Sequence, residues 1–169
     1  MNNKKSFIGF IVIVFVIILQ STILSNFSIK GIKPDIVLVL LILISNYSGS
    51  LKGQSIGFTA GLVEDFVSLS PLGFNALIHT IIGYLSGITF GKIFLDPIFV
   101  PIVFVFIGTL IKSVLSFFLL LLFFTEKAGS IFTMSLFIEM GFNILITPVI
   151  YFFLKFIRIL PSSNDSRLS

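Results

Sequence analysis

Six apolar runs, at about Phe7–Leu24, Ile36–Tyr47, Gln54–Leu69, Phe74–Leu95, Ile98–Phe124 and Ile131–Ile159, fill this chain, and only short polar turns separate them. A helix that crosses a hydrocarbon core of about 30 Å needs roughly 20 apolar residues, and the runs lack the apolar/polar alternation of barrel strands. The pattern predicts an all-α integral membrane protein with six transmembrane helices. Charged residues form 11% of the 169 residues, against about 25% in a soluble chain. Mean hydropathy is +1.17. The second run is short for a perpendicular crossing.

The first run follows Lys4 and Lys5, but it is longer than the apolar part of a signal peptide and no small-residue cleavage pattern follows it, so it reads as a retained helix. With six spans both ends share one side. Lys4, Lys5, Lys52, Lys92, Lys155, Arg158 and Arg167 fall on that side and Lys30, Lys33 and Lys127 on the other, which predicts cytoplasmic termini. Residues 1–160 read as a single membrane domain and the polar stretch PSSNDSRLS, 161–169, as a cytoplasmic tail. Pro148, which has no amide hydrogen, is expected to kink the last span.

Gly53, Gly57 and Gly61 recur at four-residue intervals in the third span, and Gly83, Gly87 and Gly91 do so in the fourth. Missing side chains let two helix backbones approach, and dispersion then supplies the attraction that lipid cannot. The turn SPLG, with Pro71, Leu72 and Gly73, joins the two spans. A fold-back near Leu72 sets Gly91 level with Gly53, Gly87 with Gly57 and Gly83 with Gly61, and brings Asp65 to His79. Glycine is also simply common in membrane helices, so this signal speaks to packing alone.

Glu64, Asp65, Lys112 and Glu139 are ionisable groups inside the apolar runs. A charge at a helix centre costs at least about 2.5 kcal/mol on insertion scales, so each requires a partner or water. Lys112 with Glu139 is the expected ion pair, with Asn143 one turn beyond on the same face. Asp65 with His79 is the second, and Glu64, about 100° around the helix, is expected to snorkel or line water. The six residues read either as a set of mutually neutralising contacts or as a site for a ligand, ion or partner helix.

Chemistry of other kinds finds little support. The chain has no cysteine and one histidine, which removes thiol chemistry and argues against a metal site. The serines have no histidine to spare for a triad, and GFTAG is embedded in apolar sequence instead of opening a phosphate-binding helix. No basic run suggests nucleic acid. No enzyme activity and no cofactor are expected.

LQSTIL at the end of the first run, KPD before the second, GFTAGLVED, PLGFNAL and GYLSG together resemble the bacterial rod shape-determining family MreD. The likeness extends over nearly the whole chain in length and span number, but its motifs lie between Gln20 and Gly91. It implies a non-catalytic scaffold of the cell-elongation complex in the cytoplasmic membrane, which helps position peptidoglycan synthesis. The implied partners are an MreC-like bitopic protein and, through it, MreB, RodA and its transpeptidase; membrane lipid surrounds them and self-association stays open. The family's span-three positions fall on Gly57, Gly61 and Asp65, and its turn on Pro71, Leu72 and Gly73.

In size and layout the family also resembles the substrate-binding S components of energy-coupling-factor transporters. That keeps a second function in view, a subunit for uptake of a vitamin or other small molecule. S components typically offer alanines at four-residue spacing to their coupling subunit, and the first span here contains none.

Overall fold

A computed structural model describes residues 3–22, 31–68, 70–90, 99–123, 133–157 and 159–160. They form six α-helices: α1 (Asn3–Thr22), α2 (Ile36–Ser48), α3 (Ser50–Ser68), α4 (Phe74–Gly87), α5 (Phe99–Phe123) and α6 (Met134–Phe156). The described regular structure is all helical, as the apolar runs require. Among the described residues α5 and α6 are, by length and composition, apolar enough to cross a membrane on their own.

The centre of the bundle is α2. Its segment IVLVLLILI carries apolar side chains all round, and a helix of that kind finds its place surrounded by others. Val37 to Ser45 are each at most 1% exposed, and α2 packs against every other helix. Its 13 residues span about 20 Å, less than a hydrocarbon core. The short second run is thus enclosed by the other helices, so protein and not lipid surrounds most of its length.

The outer helices turn large apolar residues away from the bundle. Phe15, Phe66, Leu122, Phe123, Leu145, Val149 and Phe156 are all more than half exposed. Apolar surface on this scale fits lipid better than water.

Helices α2 and α3 are joined by Gly49 alone, whose positive φ of 90° permits a reversal that an ordinary residue resists. Helix α3 accordingly starts at Ser50, four residues before the sequence-based boundary, and SLKG is its first turn. Helix α6 runs unbroken through Pro148. The tail 161–169, Gly91 and the side chains of Lys4, Lys5, Lys30, Lys92, Lys127, Arg158 and Arg167 lie outside the described residues.

Candidate functional site

Helices α3 and α4 form the most closely packed pair in the bundle. A Cβ added to Gly53 would meet the Gly83 carbonyl oxygen at 2.3 Å, one on Gly57 the His79 carbonyl oxygen at 2.2 Å, and one on Gly61 the Ala76 Cα at 2.4 Å. A Cβ on Gly87 would meet Ser50 at 2.5 Å. Gly53, Gly57, Gly61, Gly83 and Gly87 therefore do form the contact, with a different register from the sequence-based one. Gly53 opposes Gly83, and Gly57 opposes the backbone of His79 in place of Gly87.

The cause of the shift is Asp65. Its Oδ2 accepts the amides of Gly73 at 2.9 Å and Ala76 at 3.3 Å, and its Oδ1 accepts that of Asn75 at 2.9 Å. Gly73, at φ 92°, has no side chain to cap α4, so the carboxylate of α3 supplies the acceptors and a favourable charge at the positive helix end. This draws the start of α4 level with Asp65 and leaves the last turn of α3 to overhang.

The expected Asp65–His79 pair is thereby corrected. Asp65 is committed to the α4 terminus, and His79 Nδ1 lies 3.4 Å from Glu64 Oε2. Glu64 does not snorkel outward: its side chain is 16% exposed and His79 is 1% exposed. The two atoms face one another without hydrogen-bond geometry, and neither has another hydrogen-bond partner among the described residues. Pro71 and Leu72 are exposed at the turn.

The second constellation ties α2, α5 and α6 together. Lys112 Nζ donates to Glu139 Oε1 at 2.7 Å and also to Asp35 Oδ2 at 2.6 Å. Asp35 caps α2, accepting the Leu38 amide on Oδ1 at 2.9 Å, while its own amide donates to Asn143 Oδ1 at 2.8 Å. Asn143 Nδ2 donates to Thr109 Oγ1 at 3.2 Å, and Thr109 donates on to the Val105 carbonyl. Gln20 of α1 accepts the next amide of α2, that of Ile36, at 3.2 Å.

Lys112, Glu139 and Asn143 thus come together as their spacing suggests, whereas Asp35, Thr109 and Gln20 are additions. Asp35 sits in KPD, where it reads as part of a turn. An aspartate directly before an apolar helix is also an N-cap signal, and that signal identifies its role.

Beside this cluster, α5 and α6 part to leave a cleft of about 130 Å³, lined by Thr109, Lys112, Ser113, Ser116, Thr133, Ser135, Leu136 and Glu139. Among the described residues no group of three or more His, Cys, Asp or Glu is arranged to hold a metal. The arrangement can fix helices against one another and offer hydrogen bonds to a polar group at the cleft.

Such a bundle, apolar outside and braced by ion pairs and helix caps inside, defines a helical membrane protein. The family model described as rod shape-determining protein MreD matches residues 2–157, and the chain belongs to that family. Its role accordingly lies in rod-shape determination. No curated protein and no solved structure gave a significant match.

Proposed function

We propose that the chain is a non-catalytic scaffold of the cell-elongation complex, spanning the cytoplasmic membrane six times with both termini inside. It binds an MreC-like bitopic protein and, through it, helps position peptidoglycan synthesis by RodA and its transpeptidase along MreB. The observation that carries this reading is the MreD match over residues 2–157.

The geometry supports it in a specific way. Lateral association in lipid depends on shape and a few polar contacts, so a docking surface must be rigid to be selective. The Asp65 cap fixes α4 against α3, and the Asp35 cap with the Lys112 bridge fixes α2, α5 and α6 relative to one another. The polar residues thus act on the partner by holding the outer helix faces in place.

Affinity capture of the tagged protein from membranes tests the proposal. The bitopic partner should be retained by the wild type and lost when Gly57→Leu pries α3 from α4. Failure of the wild type to retain it, with the partner present in the same membranes, would refute the scaffold reading.

A further inference from the structure

Glu64 and His79 belong to none of the caps and bridges that brace the bundle, yet they face one another across its most closely packed helix pair. Glu64 Oε2 and His79 Nδ1 lie 3.4 Å apart, and both atoms are sealed from solvent with no hydrogen-bond partner among the described residues. That separation leaves no room for a water molecule between them. Nor can the helices part to relieve it, because α3 and α4 are in backbone contact at Gly57 and His79.

A carboxylate oxygen and an imidazole nitrogen without a hydrogen both present lone pairs, and two acceptors buried face to face each forfeit a hydrogen bond. A neutral imidazole could place its own N–H on Nδ1. Glu64 would then remain a buried anion, and the charges around it are unfavourable to one. Asp35 before α2, Asp65 on α3 and Glu139 on α6 lie within electrostatic reach of the pair, against the single ammonium of Lys112 on α5. The lysines Lys4, Lys5, Lys52 and Lys155 and the tyrosines Tyr47, Tyr84 and Tyr151 stand toward the opposite end of the bundle, at the starts of α1 and α3 and the ends of α2, α4 and α6. One additional proton satisfies both atoms and removes the charge.

We propose that Glu64 and His79 form a proton-binding site, which holds one proton between Oε2 and Nδ1 and latches α3 to α4. The proton comes from water, is covalently bound to one of the two atoms and is donated to the other, while Nε2 keeps the hydrogen of the imidazole. Its release leaves an anion and a lone pair in contact, and the hairpin loosens.

His79 is the chain's one histidine, so nitrogen-15 magnetic resonance of the histidine-labelled full chain reads its ring directly. At neutral pH Nε2 should carry a hydrogen, and Nδ1 should be either protonated or hydrogen-bonded. A bare Nε2 would show that the imidazole serves Glu64 by tautomer alone, and a free Nδ1 that no proton bridges the pair; either result would overturn the site. Stability supplies the second reading. Above about pH 6.5, the ordinary value for histidine, an unfolded chain has released the acid protons of both groups. The folded chain keeps one, so its folded-to-unfolded ratio should fall by about tenfold per pH unit until that proton leaves. Glu64→Gln, whose amide can donate to Nδ1 at any pH, should lack this slope, and the comparison cancels every other titrating group. Equal slopes in wild type and Glu64→Gln would overturn the proposal.

Discussion

Glu64 Oε2 lies 3.4 Å from His79 Nδ1, whereas its neighbour Asp65 turns to the amides of Gly73, Asn75 and Ala76. Adjacent carboxylates on one helix therefore do different work. One faces a buried imidazole, and the other starts the next helix.

Asp65→Asn should be destabilising. Both carboxylate oxygens are used, and an amide keeps one acceptor while presenting an N–H₂ to donors. Loss of a helix cap costs about 0.5–2 kcal/mol, equivalent to roughly 2–4 °C of melting temperature per kcal/mol in a chain of this size. Thermal unfolding in detergent should show a clear drop for Asp65→Asn and a smaller one for Glu64→Gln, whose amide can donate to His79. The reverse order would mean that the two carboxylates are interchanged.

The glycines make a graded series. At Gly53, Gly57 and Gly61 an added methyl meets backbone at 2.2–2.4 Å, so Gly→Ala must move a helix. Gly108 meets the flexible end of Ile42 instead, and Gly141 has nothing within 4 Å. Membrane abundance should fall most for Gly57→Ala and less for Gly108→Ala. Gly141→Ala should hold or rise, because alanine is favoured over glycine in a helix by about 0.8–1.0 kcal/mol.

Lys112 bridges two carboxylates, and this changes what a double substitution can rescue. Removing one partner of a buried ion pair costs about 3–5 kcal/mol. Lys112→Met with Glu139→Leu would be nearly neutral if the pair stood alone, but here it strands Asp35. The double variant should stay poorly abundant, and adding Asp35→Asn, which retains a capping side chain for Leu38, should restore it. Full recovery in the double variant would show that Asp35 is not part of the bridge.

Much of this was legible in the sequence because lipid leaves few choices. The apolar runs became helices, the glycine spacing marked α3 against α4, and Lys112 found Glu139. Register was not legible, since glycine repeats at four-residue intervals fit several alignments and the deciding contact is Asp65 with backbone amides, which no residue pattern displays. Asp35 reads first as a turn residue; the N-cap pattern discloses its cap on α2, but nothing local discloses a partner 77 residues away. The central position of α2 also depends on tertiary packing, because an all-apolar run looks the same whether lipid or protein surrounds it.

The most direct test of the central claim is cell shape on depletion in a rod-shaped host that depends on this protein. Cells should lose their length-to-width ratio and round up as the protein is withdrawn, while small-molecule uptake continues, and the wild-type chain should restore rods where Gly57→Leu does not. Cells that remain rods after the protein is gone, or that fail first in uptake of a nutrient, would contradict the account.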